Sequence, residues 1–320
     1  MEKHPRIIYM GTPEFAVGPL KALLDAGYEI PAVVTVPDKP KGRGLQLSQS
    51  DVKKFALERG GMDILQPEKL RDENFLSQLR SYNADLFIVV AFRMLPEVVW
   101  KMPKMGTFNL HASLLPKFRG AAPINWAIIK GEKETGVTTF FIDEKIDTGN
   151  ILLQKTTPIA ERETVETLHD RLMEMGSCLV VETVQGLENG TITPKPQDIS
   201  RLTEDTLAAP KLNKENTRID WGKTAAQVDA LVRGLSPYPS ALTTMETGSG
   251  EKIDMKIFST ELSDKKSGKT TITGKAIYVP CSDNFLQITS LQPAGKKRMG
   301  AVDFINGHKN LVGDENIRFV

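Results

Sequence analysis

Apolar runs and amphipathic stretches alternate along the first part of the chain. Residues 6–10 form an apolar run that predicts a buried strand. After a Gly-Thr-Pro turn, residues 14–26 place apolar side chains at helical spacing and predict a helix, and residues 30–36 predict a second strand. The chain therefore begins with one strand–helix–strand unit.

The alternation continues as far as residue 188. The further predicted elements are, in chain order, helices over 52–59 and 73–82, strands over 86–91 and 107–111, a helix over 124–130, strands over 137–142 and 151–158, and a helix over 164–188. Strands that alternate with helices in this way predict a doubly wound, mainly parallel, Rossmann-like α/β sheet. Ligands bind such sheets at the carboxyl ends of the strands, so functional residues are expected there.

A change of composition divides the chain. Residues 190–212 contain prolines and glycine among polar residues without a sustained period, which predicts a linker. The elements predicted beyond it are a helix over 224–235 and strands over 255–258, 275–279 and 286–291. We therefore predict an α/β domain over residues 1–189 and a small C-terminal OB-like β-barrel over residues 213–320.

Length and charge narrow the class of protein. With 320 residues the chain is long enough for two cores, and its 40% hydrophobic and 25% charged residues are typical of an ordinary folded protein. The net charge of +1 hides an uneven distribution, since residues 208–320 carry 16 Lys+Arg against 12 Asp+Glu. This mild excess suits selective contact with a phosphate backbone better than broad charge-driven binding.

The sequence offers no feature that would direct the chain to a membrane or out of the cell. No apolar targeting region follows Met1, and no apolar run approaches the roughly 20 residues of a membrane-spanning helix. Two cysteines are too few for a disulfide framework or a zinc motif. We therefore expect a cytoplasmic protein. We also expect a monomer.

Two polar residues share one face of the strand predicted over 107–111. Because side chains alternate along a strand, Asn109 and His111 point the same way at its carboxyl end. Asp147 lies in an Asp-Thr-Gly turn after the next strand. An amide can stabilise an oxyanion, and an aspartate beside a histidine can fix its tautomer, so together these groups suit attack of an amine on a carbonyl.

Each feature alone has a plainer explanation. A single histidine at a strand end is more often structural or exposed, and an Asp-Thr-Gly turn is a common capping device. Gly11 opens a turn where a dinucleotide fingerprint would lie, but the Gly-x-Gly-x-x-Gly pattern is missing, which disfavours a nicotinamide dehydrogenase. No serine or cysteine occupies a nucleophile elbow, which favours direct transfer without a covalent enzyme intermediate.

The combination of motifs is far more specific than any one of them. The motifs, in chain order, are Asn109-x-His111, Ser113-Leu114-Leu115-Pro116, Arg119-Gly120, Pro123 and Asp147-Thr148-Gly149. In this combination the sequence resembles the folate-dependent formyltransferases. The resemblance implies that Asn109, His111 and Asp147 are catalytic and that the Ser-Leu-Leu-Pro segment lines the tetrahydrofolate pocket. It also implies that 10-formyltetrahydrofolate is the formyl donor and that no metal is required.

Three further segments resemble the branch of this family that acts on methionyl-tRNA. They are Gly11–Ala16, Pro37–Gly44 and Leu291–Lys297. The resemblance covers nearly the whole chain. It implies that residues 1–189 form the formyltransferase domain and that the OB-like domain helps to hold the tRNA. The acceptor would then be initiator methionyl-tRNA, which becomes N-formylmethionyl-tRNA for translation initiation.

Six basic residues are the candidates for contact with this tRNA. They are Lys39, Lys41, Arg43, Lys296, Lys297 and Arg298. The family uses the loop that contains Arg43 against the acceptor end of the tRNA, and an arginine suits this role because its planar fork donates hydrogen bonds in pairs. Without the resemblance, this segment is equally well explained as a solvent-exposed loop with no binding role.

The sequence departs from the common family pattern at two places. Phe92-Arg93 replaces a frequent Tyr-Gly after the strand over 86–91, and Lys145 replaces a frequent glycine in the acidic loop. Both positions lie outside the catalytic trio.

Other functions remain open at this level. The same donor can serve glycinamide ribonucleotide, an amino-sugar nucleotide or water as acceptor, although those reactions need no basic loop for an acceptor stem. The non-enzymatic alternative is a protein that only binds RNA and whose first domain senses folate. The retained Asn109, His111 and Asp147 speak against that alternative.

Overall fold

The computed structural model describes residues 4–41, 46–200, 202–264 and 268–320. They fold into two compact units that alternate along the chain. The segments of unit 1 are Met1–Pro123, Thr135–Thr157 and His169–Ala209, and those of unit 2 are Ile124–Glu134, Pro158–Leu168 and Pro210–Val320. Each unit therefore draws its residues from more than one stretch of the sequence.

Strands and helices alternate through unit 1, and strands dominate unit 2. The strands of the described residues are β1 (Ile7–Gly11), β2 (Ala32–Val34), β3 (Lys39–Lys41), β4 (Gln46–Ser48), β5 (Asp63–Leu65), β6 (Leu86–Val90), β7 (Thr107–His111), β8 (Arg119–Gly120), β9 (Glu134–Phe141), β10 (Ile151–Pro158), β11 (Ala208–Ala209), β12 (Ala241–Glu246), β13 (Lys252–Ser263), β14 (Thr271–Ile272), β15 (Ile277–Pro280), β16 (Phe285–Pro293), β17 (Met299–Gly300) and β18 (Arg318–Phe319). The helices are α1 (Val17–Asp25), α2 (Asp51–Arg59), α3 (Glu73–Ser81), α4 (Glu97–Trp100), α5 (Pro123–Ile129), α6 (Val165–Glu188), α7 (Glu204–Leu207), α8 (Ala225–Leu235) and α9 (Ala301–Gly307), with short 3-10 helices at Glu14–Ala16 and Lys309–Leu311.

Seven strands form the sheet of unit 1, in the order β10-β9-β7-β6-β1-β2-β5. β5, β2, β1, β6 and β7 are parallel, and β9 runs antiparallel to β7. The predicted doubly wound, mainly parallel sheet is thus confirmed. The chain runs from β1 toward β5 and then crosses back to β6, so the strand order reverses between β1 and β6. Open α/β sheets bind ligands outside the carboxyl ends of the strands near such a point.

The central strands of unit 1 are buried on both faces. Every residue of β1 and of β6 is buried, as expected where helices cover both sides of a parallel sheet. One apolar core of this unit includes Ile8, Met10, Phe87 and Val89. β7 pairs with β6, so this packed layer fixes the direction of the strand that carries the candidate residues.

An antiparallel half-barrel forms the sheet of unit 2. Its strands follow the order β14-β15-β16-β13-β12-β18, with β17 beside β16. Thr224 and Gln227 form a capping box that begins α8, because each side chain accepts a hydrogen bond from the other residue's backbone N–H. The predicted helix over 224–235 and the small C-terminal β-barrel are therefore confirmed, the barrel in the form of a half-barrel.

β12 is an element of unit 2 that the sequence pattern did not predict. Two of its buried residues are the threonines Thr243 and Thr244, and their hydroxyl groups are hydrogen-bonded. Thr243 accepts from the indole N–H of Trp221 at 2.9 Å, and Thr244 donates to Asp254 at 2.7 Å. A strand that buries hydroxyl groups lacks the alternation of apolar and polar residues on which the prediction depends.

Residues 190–212, which the sequence predicts as a linker, are divided between the two units. Unit 1 includes this segment as far as Ala209, and unit 2 resumes at Pro210. The main chain of Lys195 pairs with Ile151, and β11 pairs with β8. Prolines and glycines signal irregular backbone, but they do not reveal whether that backbone packs on a neighbouring domain.

Candidate active site

β7 ends in the pair of polar residues that the sequence analysis identifies. It spans Thr107–His111, as predicted, and its carboxyl end lies at the edge of the sheet where ligands bind. Asn109 is half-buried, and its Oδ1 is buried without a hydrogen-bond partner among the described residues. An unpaired buried acceptor costs about 1–3 kcal/mol, a cost that a ligand donor at this position would remove.

One direct hydrogen bond fixes the ring of the buried His111. Its Nε2 lies 2.8 Å from the carbonyl oxygen of Phe118. Because a carbonyl oxygen only accepts, Nε2 carries the proton in this contact and Nδ1 is the nitrogen left to act. Phe118 has a φ of +58°, and in this left-handed conformation it presents its carbonyl group to the ring.

Asp147 lies across from that remaining ring nitrogen. Its Oδ2 is 3.8 Å from Nδ1 of His111, which is too long for a direct hydrogen bond. The same oxygen accepts a hydrogen bond of 2.8 Å from the backbone N–H of Gly120. The exposed fractions of the His111 and Asp147 side chains are 6% and 13%. The two groups thus meet beside Asn109, and the Phe118 carbonyl rather than Asp147 is the direct partner of the ring.

The order of residues in the Asp-Thr-Gly turn has a steric reason. Asp147 has a φ of +54°, a conformation that aspartate adopts more readily than most residues. A Cβ atom at Gly149 would lie 1.7 Å from the carbonyl oxygen of Phe141, so only glycine fits there. Thr148 donates to Asp143 at 2.7 Å, which makes Asp143 a turn former and leaves Asp147 as the acidic candidate.

The four residues predicted to line the folate pocket follow His111 closely. Ser113 is fully buried, and its hydroxyl donates to the carbonyl oxygen of Lys117 at 2.6 Å, so this side chain shapes the turn. Leu115 is also buried, whereas Leu114 and Pro116 are partly exposed. Within the segment, the side-chain surface that can meet a ligand therefore comes from Leu114 and Pro116.

Gln197, which the sequence analysis missed, joins the loops around Asp147. Its Nε2 donates to the carbonyl oxygens of Asp147 and Gly149, both at 2.9 Å, and its Oε1 accepts from the Arg119 guanidinium at 3.2 and 2.6 Å. Burial lowers the pKa of Arg119, and the carboxylates of Asp147 and Asp143 oppose that shift. No local signal identifies Gln197, because it lies 50 residues from Asp147 in a stretch without periodicity.

The departure at Phe92-Arg93 holds two loops together. Arg93 donates to the carbonyl oxygen of Glu68 at 2.9 Å and to that of Pro67, and burial lowers the pKa of its guanidinium. The same group lies 5.5 Å from the centroid of the Phe92 ring. The arginine therefore ties the loop after β6 to the loop before α3. The other departure, Lys145, is exposed.

The basic loop predicted to meet tRNA is anchored at its base. Lys39 is exposed on β3, Lys41 ends that strand with its side chain outside the described part of the chain, and Arg43 lies outside the described residues. Next to the loop, Nζ of Lys53 lies 2.6 Å from Oδ2 of Asp38. This hydrogen bond is the main cause of the lowered pKa of Asp38.

The other predicted tRNA contacts lie on a turn of unit 2. Lys296, Lys297 and Arg298 are exposed between β16 and β17. The guanidinium of Arg298 lies 4.5 Å from the centroid of the Phe258 ring, and its Nε donates to Ser290 at 3.0 Å. These contacts orient the guanidinium while the side chain stays open to solvent, which suits contact with a phosphate group.

Within the described ranges, no three histidine, cysteine, aspartate or glutamate side chains lie together as a metal ion would require. Among the same residues, no helix combines the length and the apolar character needed to cross a membrane.

Two family models match consecutive parts of the chain. A model of the formyl transferase family matches residues 5–184, and a model of the formyl transferase C-terminal domain matches residues 211–309. The chain is 49% identical over 309 residues to the methionyl-tRNA formyltransferase of Bacteroides thetaiotaomicron, which covers 95% of this chain and 96% of that protein. It is 51% identical over 316 residues to the protein of the same name from Parabacteroides distasonis, which covers 96% of each.

A solved structure with a similar fold is that of HypX from Aquifex aeolicus in complex with tetrahydrofolic acid. The two structures superpose with a TM-score of 0.63 at 20% identity, over 97% of this chain and 48% of the HypX chain. At this level of identity the likeness concerns the fold alone. The family models and the relatives similar over their full length go further, and they establish that this chain belongs to the formyl transferase family.

Proposed function

We propose that this chain transfers the formyl group of 10-formyltetrahydrofolate to the α-amine of initiator methionyl-tRNA. The observation that carries the proposal is the meeting of His111 and Asp147 beside Asn109 at the end of β7. It occurs in a chain that is 49% and 51% identical, over 95% and 96% of its length, to two methionyl-tRNA formyltransferases. The product, N-formylmethionyl-tRNA, serves translation initiation.

The reaction defines what the residues must do. The amine nitrogen attacks the formyl carbon, a new C–N bond forms, and the bond between that carbon and N10 of the folate breaks. The amine loses one proton and N10 leaves as an N–H group, so the second product is tetrahydrofolate. The site must therefore stabilise negative charge on the formyl oxygen and take a proton from the amine.

Asn109 and His111 stabilise the oxyanion, and Asp147 accepts the proton of the amine. The amide nitrogen of Asn109 donates to the formyl oxygen, while its unpaired Oδ1 accepts an N–H from the bound amine. His111 is held through Nε2 by Phe118 and donates from Nδ1 in its protonated form. Asp147, 3.8 Å from Nδ1, stabilises that charge and accepts the amine proton through a water molecule.

The turn over Ser113–Pro116 is assigned to the folate pocket. Leu114 and Pro116, partly exposed, offer apolar surface for the ring system of the co-substrate. The buried hydroxyl of Ser113 keeps the turn in shape through Lys117. Partly exposed apolar side chains beside a few polar groups are typical of a site that binds a flat cofactor.

We assign the binding of the tRNA to basic residues of both predicted domains. In this assignment residues 1–189 carry out the formyl transfer, and residues 213–320 help to bind the tRNA. Residues 190–212 connect the two domains and also supply Gln197 beside Asp147. The acceptor end meets the loop of Lys39, Lys41 and Arg43, and the turn of Lys296, Lys297 and Arg298 contacts phosphate groups. We further propose that the chain acts in the cytoplasm and as a monomer, and light scattering of the purified protein would test the oligomeric state.

Acceptor dependence of the purified protein tests the proposed function. Transfer of the formyl group is expected with charged initiator methionyl-tRNA, and much slower turnover is expected with glycinamide ribonucleotide, with an amino-sugar nucleotide, or with water alone. The formylated product and released tetrahydrofolate are measured with each acceptor. Turnover with one of the other acceptors that is as fast as turnover with methionyl-tRNA, or tRNA binding without turnover, would refute the assignment.

The basic turn of unit 2 is tested by its salt dependence. Replacing Lys296, Lys297 and Arg298 together by alanine is expected to weaken binding of initiator tRNA and to reduce the slope of log K against log salt by about 3, or about 1 per phosphate contact. At saturating tRNA, kcat is expected to stay within about twofold. Filter binding at several salt concentrations measures the slope.

Two single variants complete that test. Lys309→Ala, at an exposed lysine of the same unit, is the control and is expected to leave the slope unchanged. Arg43→Ala is expected to raise KM for methionyl-tRNA, because it removes paired donors from the acceptor end. Unchanged affinity and kcat/KM in Arg43→Ala would remove the loop from the assignment, and an unchanged slope in the triple variant would remove the turn.

A further inference from the structure

Asp147 has no rigid element of its own to hold it. It lies in the turn between β9 and β10, and its neighbours Glu144, Lys145 and Ile146 are exposed. Its φ of +54° is a conformation that non-glycine residues adopt only when their surroundings stabilise it. Contacts from outside the turn are therefore needed to keep the carboxylate 3.8 Å from His111.

We propose that Gln197 is a positioning residue for the reaction, which holds the turn of Asp147 in the geometry that catalysis needs. Both protons of its amide nitrogen are used on this turn, one on the carbonyl oxygen of Asp147 and one on that of Gly149, each at 2.9 Å. These two carbonyl groups flank Thr148. The side chain of Gln197 therefore determines the path of the backbone on both sides of the turn's central residue.

Arg119 determines which end of the Gln197 amide faces the turn. Its Nε and Nη2 donate to Oε1 of Gln197 at 3.2 and 2.6 Å, which leaves Nε2 to point at the carbonyl groups of Asp147 and Gly149. All four hydrogen-bonding positions of the amide are thereby occupied. A fully used amide specifies one orientation, because rotation by 180° would set donor against donor and acceptor against acceptor.

The same network also holds the carboxylate group of Asp147. Gly120, the residue after Arg119, donates its backbone N–H to Oδ2 of Asp147 at 2.8 Å. A Cβ atom at Gly120 would lie 2.7 Å from the carbonyl oxygen of Ala209, and its φ is +119°, so this backbone has little freedom. Asp147 is therefore held through its main chain by Gln197 and through its side chain by Gly120.

Loss of the Gln197 side chain is not expected to unfold the region. The segment that carries it, residues 195–209, is also attached by main-chain hydrogen bonds. Lys195 and Ile151 exchange two of them, at 2.7 and 2.9 Å, and Ala121 donates to Ala209 at 2.8 Å. These bonds remain when the amide is removed, so a variant at Gln197 isolates the contacts to the turn.

The inference rests on the proposed function, and kinetics of Gln197→Leu tests it. Leucine keeps the bulk but removes all four hydrogen bonds. We expect kcat to fall about 10- to 100-fold, since misplacing a catalytic group by about 1 Å can cost 10²-fold, while KM for both substrates changes less than about twofold. Gln185→Leu, at an exposed glutamine of α6, is the matched control and is expected to retain the wild-type kcat.

Gln197→Glu separates the two halves of the network. The carboxylate keeps the contact with Arg119, but it has no proton for the carbonyl groups of Asp147 and Gly149. We expect the same fall in kcat as in Gln197→Leu, with KM unchanged. Wild-type kcat in Gln197→Glu would show that donation to the turn is dispensable and would overturn the inference.

A double variant distinguishes positioning of Asp147 from a general structural role. In single-turnover measurements with excess enzyme, Gln197→Leu is expected to cost less than about twofold when Asp147 is already alanine, because effects through a shared partner are not additive. A full further loss in that background would contradict the inference. The wild-type rate with methionyl-tRNA reports on the proposed function, and if another acceptor is turned over instead, the same ratios can be measured with that acceptor.

Discussion

Alanine in place of His111 is expected to lower kcat for formyl transfer about 10²- to 10⁴-fold. The ring is buried, its Nε2 is committed to Phe118, and its Nδ1 faces the carboxylate of Asp147 at 3.8 Å. Asn109→Ala removes a donor from the oxyanion and should cost about 10²- to 10³-fold. Asp147→Ala removes the proton acceptor and should also lower kcat about 10²- to 10⁴-fold.

Rapid-quench kinetics with charged initiator tRNA provides the measurement. KM should change little in all three variants, because the interactions concerned are made mainly in the transition state. His4→Ala, at an exposed histidine that pairs with Glu188 on the surface, is the matched control and should retain wild-type kcat. Near-normal kcat in any one of the three variants would remove that residue from the mechanism.

Alanine in place of Asp229 is expected to destabilise unit 2 by about 3–5 kcal/mol. This aspartate on α8 is 5% exposed and accepts hydrogen bonds from Arg162 at 2.9 Å, from Arg233 at 2.7 Å and from Thr260 at 2.8 Å. Without it the Arg233 guanidinium, whose side chain is 15% exposed, loses its carboxylate partner. The residue lies outside the candidate active site, so the expected loss is in stability.

Amide hydrogen exchange measures this loss locally. Exchange of the most protected amides of α8 and β13 should become about 100- to 4,000-fold faster, since 1.4 kcal/mol corresponds to a factor of ten. Asp303→Ala, at an exposed aspartate of α9 in the same unit, is the control and should change exchange by less than about fivefold. A change below tenfold in Asp229→Ala would show that the buried charge network adds little to stability.

Unit 1 was largely predictable because its signals are local. A buried parallel strand is an uninterrupted apolar run, and the helices around it repeat apolar residues at helical spacing, so β1, β6 and β7 follow from neighbouring residues alone. The motifs predicted at the end of β7 depend on the same local order. Unit 2 was less well predicted, because the threonine-rich β12 buries hydroxyl groups and lacks the apolar alternation of a half-buried strand.

The amino-acid sequence by itself determined the α/β character of unit 1, the polar pair Asn109 and His111 on one face of β7, and the family resemblance that the comparisons confirmed. Only the tertiary structure decided that Phe118 holds the His111 ring and that Gln197 holds the turn of Asp147. Those contacts are hydrogen bonds from side chains to backbone carbonyl groups, and Gln197 and Asp147 are 50 positions apart in the sequence. Any residue supplies a carbonyl group, so no pattern of side chains along the chain can mark which one is used.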